Sequence, residues 1–159
     1  MMGFVIVGII AAVVFGSQKE IMPVGSALPE IKYITANDSG YIHVNEKPLM
    51  IMYFKPDCPH CKYELEIMNK RINELRTADI YLITTDKDLI KENHLIKWTS
   101  LLYANNVKFC WISEEEYKAQ FGINVTPVFY FFDRNNKLTG KIIGETKFDR
   151  ILGAIKLNN

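Results

Sequence analysis

Apolar and polar residues alternate in blocks along the chain, and these blocks predict a series of strands and helices. Runs of consecutive apolar residues are typical of strands buried on both faces, whereas apolar residues spaced three and four apart indicate helices. The predicted strands cover residues 30–34, 40–44, 49–54, 80–83, 107–112, 125–133 and 137–143. The predicted helices cover residues 59–76, 87–105, 114–121 and a last stretch from Thr146 to about Leu157.

The order of these elements predicts the fold class. Strands and helices alternate through residue 121, and a hairpin and a closing helix follow. Alternating units of this kind build a sheet of parallel strands with helices on its faces, and the hairpin adds antiparallel strands. The sequence therefore predicts an α/β fold in which a central mixed β-sheet is flanked by helices.

The first 16 residues differ in kind from the rest of the chain. Residues 1–15 are apolar or glycine throughout, and the first charged side chain is Lys19. A helix of this length rises about 24 Å, just short of a membrane span, and it also resembles the apolar region of a signal peptide. We predict a signal or anchor segment over 1–16, with a buried core element as the alternative, a linker over 17–29 and one domain over 30–159. A signal or anchor puts that domain outside the cytoplasm.

Composition narrows the function classes only slightly. The chain has 159 residues, which is enough for one domain, and 19 Lys and Arg side chains against 18 Asp and Glu. A net charge of +1 without a basic run argues against nucleic acid as a partner. Three cysteines are too few for a disulfide scaffold. One of them, Cys110, is predicted to be a small buried residue of the 107–112 strand.

The other two cysteines lie in the stretch around which the chain is organised. The buried strand 49–54 is followed by a break and then by Cys58-Pro59-His60-Cys61 at a predicted helix start. Pro59 suits the first helical turn, where a missing N–H is tolerated. The free N–H groups and partial positive charge of a helix start stabilise a thiolate on the first cysteine. The pattern predicts a redox-active dithiol in which Cys58 attacks and Cys61 resolves.

A metal site is the alternative for this cysteine pair. A structural zinc site needs two further ligands. The sequence has no second C-x-x-C motif, and His43 and His94 lie in unrelated stretches. We therefore predict no metal site. No dissociable cofactor is predicted either, since thiols themselves carry the electrons.

Two polar residues beside the cysteines are candidates for lowering the pKa of Cys58 or for accepting the proton of Cys61. His60 lies between the thiols, where a donor or positive charge would lower the pKa of Cys58. Glu64 lies one helical turn after Cys61, so its carboxylate could share a face with that thiol and accept its proton. The alternative for each is an exposed side chain without a role.

Thr126-Pro127 is, after the cysteine pair, the second motif that points to the fold and to a functional site. A proline inside the strongly apolar run 125–133 contradicts an ordinary strand position unless it lies at an edge or a bulge. Together with C-x-x-C at the end of the first central strand, this pair resembles the thioredoxin fold. The resemblance implies that Pro127 is a cis-proline, and that Thr126 and Pro127 pack against the dithiol and offer backbone to a substrate.

Within that fold, the chain resembles the membrane-tethered thioredoxin-like proteins of the TlpA type. The resemblance covers about residues 31–157 and rests on four features. These are the dithiol with Glu64 three residues later, the Thr-Pro pair, an extra strand–helix unit and the N-terminal apolar segment. It implies a thiol-disulfide oxidoreductase of the bacterial periplasm, anchored in the inner membrane or secreted. Its partners would be protein thiols or disulfides and an upstream thiol electron donor or acceptor.

Three departures from the family pattern leave the direction of electron flow open. Asp57 replaces the usual tryptophan before the first cysteine, and Met52 stands where thioredoxin has a buried acid. The Pro-His dipeptide is the one seen in strong disulfide donors such as DsbA. A peroxiredoxin is disfavoured because Lys55 replaces the threonine of its Pro-x-x-x-Thr-x-x-Cys pattern. A metallochaperone, or a thioredoxin fold that binds a partner without turnover, is the alternative function.

Overall fold

The computed structural model describes residues 21–122 and 125–158. The predicted signal or anchor segment, 1–16, lies outside these residues. The described chain forms one seven-stranded sheet with the strand order β2-β1-β5-β4-β3-β6-β7. The strands are β1 (Lys32–Ile34), β2 (Ser39–Tyr41), β3 (Leu49–Tyr53), β4 (Asp79–Thr84), β5 (Val107–Trp111), β6 (Val128–Phe132) and β7 (Leu138–Ile143).

The pairing confirms the predicted mixed sheet. Strand β3 pairs with β4, and β4 pairs with β5, both in parallel register. On its other side β3 pairs antiparallel with β6, which pairs antiparallel with β7 as the predicted hairpin. Strand β3 thus lies inside the sheet, and all five of its residues are buried. Burial on both faces explains its unbroken apolar sequence.

Helices cover both faces of the sheet, as predicted. The α-helices are α1 (Pro59–Lys70), α2 (Glu92–Leu95), α3 (Thr99–Leu102), α4 (Glu114–Phe121) and α5 (Phe148–Lys156). Alternate residues of β3 enter two separate hydrophobic clusters. Met50 and Met52 pack with residues of α1 and α5, whereas Ile51 and Tyr53 pack with residues of α4.

The predicted helix over 87–105 is wrong. The chain instead forms a 3-10 turn (Lys87–Ile90), α2, another 3-10 turn (Ile96–Trp98) and α3. Two local features break a continuous helix. The Asp86 side chain caps the first turn by accepting the Asp88 N–H, and Lys91 has an extended backbone. The apolar spacing was helical, but the side chains reach the core from separate short turns.

Helix α1 is shorter than the predicted 59–76. It ends at Lys70, and Arg71 leaves helical geometry with φ −112° and ψ 26°. A 3-10 turn (Ile72–Leu75) continues the chain and buries Leu75. Ser113 caps α4, since its hydroxyl accepts the Glu116 N–H at 3.1 Å, and the Glu116 carboxylate accepts the Lys32 N–H at 3.1 Å.

The described part of the predicted linker, 21–29, packs along β7. Met22 is buried in the hydrophobic cluster that contains Tyr53. The Lys141 ammonium donates to the Met22 carbonyl at 2.7 Å, and the Gly25 N–H donates to the Leu138 carbonyl at 2.7 Å. Packing of the domain therefore extends to the N-terminal side of residue 30. Within 21–122 and 125–158, no helix has the length and apolar character needed to cross a bilayer.

Candidate redox site

The end of β3 and the start of α1 position the two candidate thiols. Cys58 is the N-cap residue of α1, with extended backbone angles (φ −85°, ψ 110°), and Pro59 occupies the first turn. Its sulfur accepts the Cys61 N–H at 3.2 Å. The Cys58 N–H in turn donates to the Lys55 carbonyl at 3.3 Å, which closes the turn between strand and helix. The sequence folds this way because an N-cap position needs a side-chain acceptor for free helix N–H groups.

The two thiols have opposite pKa shifts. Burial raises the pKa of Cys58, but hydrogen bonds from Cys61, from the Thr126 side chain and from the His60 N–H outweigh it, so the pKa lies below its usual value. Cys61 is fully buried, and burial together with its bond to Cys58 raises its pKa to about 12. The accessible thiol is therefore the one that ionises more easily.

The Thr126–Pro127 segment lies against Cys58. The peptide bond between these two residues is cis. The Cys58 thiol donates to the Thr126 carbonyl with a sulfur–oxygen distance of 3.6 Å. The predicted strand over 125–133 is shorter than expected, because β6 begins only at Val128. Pro127 cannot donate a ladder hydrogen bond, which explains why regular pairing starts after it.

Glu64 is buried inside the domain and is not a surface residue. Its relative exposure is 0%. One carboxylate oxygen, Oε1, accepts the Thr146 N–H at 2.7 Å, and Oε2 is buried with no hydrogen-bond partner among the described residues. Burial raises the pKa of Glu64, the Thr146 N–H opposes this shift, and the negative charge of Glu145 adds to it. No hydrogen bond joins Glu64 to the Cys61 thiol in the described contacts.

The imidazole of His60 turns towards Glu145 and not towards the thiols. Its Nδ1 lies 2.7 Å from Glu145 Oε2, and both side chains are partly exposed. His60 acts on the pKa of Cys58 through its backbone N–H. Sequence reasoning missed Glu145. The two residues are 85 positions apart, and no spacing pattern connects them.

Glu145 belongs to the connection between β7 and α5, which contacts the site at three consecutive residues. Gly144, with φ 84°, donates its N–H to the Pro127 carbonyl at 2.8 Å. Glu145 and Thr146 follow with the contacts described above. The last helix was predicted to start at Thr146, but α5 starts at Phe148, with Lys147 as its N-cap residue and no side-chain cap hydrogen bond.

The third cysteine, Cys110, lies apart from this site. Cys110 is fully buried in β5, and burial raises the pKa of its thiol. Across the described part of the chain, no group of three or more His, Cys, Asp or Glu side chains could hold a metal ion. The dithiol, the buried carboxylate and the cis-proline segment are therefore the groups that the fold brings together.

This arrangement defines a protein of the thioredoxin class, with a dithiol at a helix start beside a cis-proline. A family model described as a thioredoxin-like domain matches residues 37–158, and the chain belongs to the thioredoxin-like family. No curated protein matches the chain in sequence.

Solved structures share this fold at low sequence identity. A peroxiredoxin-like protein from Aquifex aeolicus has a TM-score of 0.72 at 14% identity, covering 87% of this chain and 88% of its own. A putative thiol:disulfide interchange protein DsbE from Chlorobium tepidum has a TM-score of 0.65 at 15% identity, covering 84% and 99%. The exposed lipoprotein thioredoxin of Streptococcus pneumoniae has a TM-score of 0.62 at 16% identity, covering 81% and 99%. The fold and the cysteine pair together support a redox role.

Proposed function

We propose that the protein is an extracytoplasmic thiol-disulfide oxidoreductase of the TlpA type, acting through Cys58 and Cys61. One observation carries the proposal: the Cys58 sulfur caps α1, accepts the Cys61 N–H at 3.2 Å and lies beside the cis Thr126–Pro127 segment. A helix start that donates to sulfur stabilises the thiolate, which is the nucleophile of disulfide exchange.

The reaction moves two electrons between sulfur atoms. The Cys58 thiolate attacks a partner disulfide, forms a mixed disulfide and releases one partner thiolate. Cys61 then loses its proton and attacks the Cys58 sulfur, which forms the Cys58–Cys61 disulfide and releases the second partner thiolate. The same steps in reverse oxidise a partner dithiol. Electrons stay on sulfur throughout, so the proposal needs no dissociable cofactor.

Glu64 is proposed to accept the proton of Cys61 in the resolving step. The resolving thiol has a pKa raised to about 12, so it needs a base. Glu64 lies one helical turn further along α1, is buried, and has one oxygen without a hydrogen-bond partner among the residues that the structure describes. Its own pKa is raised, which brings it closer to the pH at which a carboxylate can both take and return a proton.

The Thr126–Pro127 segment is proposed to receive the substrate. It contacts Cys58 through the Thr126 carbonyl, and the residue before it, Val125, is an exposed hydrophobic side chain. Backbone next to the attacking sulfur can align an extended partner segment so that its disulfide meets Cys58. The partners are protein thiols or disulfides, with an upstream thiol donor or acceptor that restores the dithiol.

The proposed location is the cell envelope. Two observations support it: the apolar segment 1–16, which has the character of a signal or anchor, and the fold shared with a DsbE protein and an exposed lipoprotein thioredoxin. An inner-membrane anchor or a secreted form would both place the domain outside the cytoplasm.

Trapping experiments with three variants test the proposal. Full-length Cys61→Ala, expressed in a native membrane, should accumulate mixed disulfides with partner proteins, because the first step remains and the second is lost. Cys58→Ala should accumulate none, and Cys110→Ala should behave as wild type. Mass spectrometry of the trapped complexes identifies the partners.

An insulin-reduction assay separates the enzyme from the alternative functions. The wild type should accelerate reduction by dithiothreitol, and Cys58→Ala should not. Wild type without activity, together with stoichiometric metal in the purified protein, would favour a metallochaperone. Equal trapping by Cys58→Ala and Cys61→Ala would contradict the assigned division of labour.

A further inference from the structure

Glu145 is held in place on both sides by contacts with the redox site. Gly144 before it and Thr146 after it each donate a backbone N–H to the site, to the cis-proline segment at 2.8 Å and to the buried glutamate at 2.7 Å. Between these two anchors, Glu145 Oε2 lies 2.7 Å from Nδ1 of His60. The loop thus presents a carboxylate to the imidazole of His60, the residue that precedes Cys61 in the sequence.

We propose that Glu145 is a positioning residue, which holds the His60 imidazole away from Cys58 and so makes the Cys58–Cys61 disulfide a weaker oxidant than its Pro-His dipeptide would otherwise make it. The inference rests on the proposed thiol-disulfide exchange. It assigns to the β7–α5 connection a part in setting the balance between dithiol and disulfide.

The contacts of Cys58 support this assignment. An imidazolium close to a thiolate stabilises it and so favours the dithiol over the disulfide. In the structure the Cys58 sulfur receives its donors from Cys61, from Thr126 and from the backbone of His60. The imidazole itself is paired with Glu145 instead, so the charge it can carry is balanced by a carboxylate.

The His60–Glu145 pair is not the only charged group near the thiols. In sequence, Lys55 and Asp57 precede Cys58, Lys62 follows Cys61, and the buried Glu64 lies one turn further along α1. The His60 and Glu145 side chains are 65% and 42% exposed, and an exposed ion pair contributes little to stability. A merely structural pair would therefore leave the dithiol–disulfide equilibrium unchanged.

Equilibration against glutathione tests the proposal. The reaction is protein disulfide plus two reduced glutathione molecules, giving protein dithiol plus one oxidised glutathione. Glu145→Gln should shift the equilibrium constant towards the dithiol by about threefold or more, because the freed imidazole can approach the thiolate and donate to it. Glu66→Gln is the matched control, since it removes an exposed carboxylate from α1 without touching the pair, and it should leave the constant unchanged.

A double-mutant cycle decides whether Glu145 acts through His60. In a His60→Ala background, Glu145→Gln should no longer shift the equilibrium constant. An equal shift in both backgrounds would mean that the carboxylate acts directly on the thiolate, which overturns the proposal. The absence of a shift in the wild-type background, or a shift towards the disulfide, also overturns it. A wild type that fails to equilibrate with glutathione contradicts the proposed function instead, so the two failures are distinguishable.

Discussion

The start of α1 and the middle of β5 each hold a cysteine in the same domain, and their environments are opposite. Cys58 is partly accessible, and hydrogen bonds to its sulfur lower its pKa below the usual value in spite of its burial. Cys110 is fully buried between neighbouring strands, and burial alone raises its pKa. Both side chains have the same chemistry, so the difference comes from their surroundings.

The comparison indicates that the position of each cysteine in the fold determines how easily its thiol ionises. At the N-cap of α1, free backbone N–H groups need an acceptor, and the sulfur supplies it. In β5, Cys110 pairs with Ile83 of β4, and its side chain is buried in a hydrophobic cluster. A thiolate is stabilised at the N-cap of α1, whereas forming a thiolate in the apolar interior at β5 costs free energy.

Alkylation should reveal the largest difference between these thiols. With the reduced protein near pH 7, iodoacetamide should modify Cys58 at least about 100-fold faster than Cys110, because the thiolate is the reactive form. Peptide mass spectrometry over a time course measures both rates. Unfolding in guanidinium should make the two rates similar. Similar rates in the folded protein would contradict the claim that the fold sets the two thiols apart.

Glu64→Gln should slow the step assigned to Cys61 and leave the attack by Cys58 unchanged. If Glu64 takes the proton of Cys61, the variant should resolve mixed disulfides about tenfold more slowly near neutral pH. Stopped-flow measurement of the resolving step across about pH 5 to 9 checks this. An unchanged rate over that range would remove Glu64 from the reaction.

The stability of the same variant should depend on pH in a defined direction. The pKa of Glu64 is raised in the folded state, so its favourable contribution is full below its unfolded value of about 4.3 and is lost as the pH rises through the folded value. Gln cannot ionise. The stability of Glu64→Gln relative to wild type should therefore increase from about pH 4 to about pH 8 in urea titrations. A constant difference would contradict the raised pKa.

Cys110→Ala should leave exchange untouched and lower stability moderately. Removing one buried sulfur leaves a small cavity, which costs about 1 kcal/mol. Cys110→Ser should cost more, because it buries a hydroxyl without a partner. Chemical denaturation gives both values, and the insulin assay gives the activity. Lost activity in a folded Cys110→Ala protein would show that this thiol takes part in exchange.

The smallest expected effect concerns the backbone donor at His60. His60→Pro removes the N–H that helps to lower the pKa of Cys58, so the dithiol–disulfide equilibrium should move towards the disulfide by a few-fold. His60→Ala keeps the N–H and is the matched control. Equal shifts in Pro and Ala variants would assign the effect to the imidazole instead.

Local patterns predicted the centre of the fold well. Strand β3 and the helix start at Pro59 followed from an unbroken apolar run and a C-x-x-C motif, both of which lie within 17 residues, Pro48 to Glu64. The stretch 87–105 was mispredicted because its apolar spacing matched a helix, while the cap at Asp86 and the extended Lys91 decided the outcome. Short-range backbone bonds of this kind leave only a weak trace in sequence.

The part of the site that could not be predicted depends on distant residues. The sequence predicted Glu64 as a partner of Cys61 and left an exposed side chain as the alternative, but it gave no sign of the Thr146 N–H, 82 positions later, that donates to its carboxylate. The approach of Glu145 to His60 likewise requires the whole sheet to form first. Contacts between residues this far apart follow from the topology of the fold and from no local periodicity.

In the proposed exchange reaction, the raised pKa of Cys61 bears on how long a partner stays attached to Cys58. With a pKa raised to about 12, this thiol is almost entirely protonated at pH 7. Once Cys58 is bonded to a partner, its contribution to that pKa disappears, but the burial of Cys61 remains. In the proposed reaction, the dwell time of the covalent complex therefore depends on the removal of this proton as well as on surface contacts.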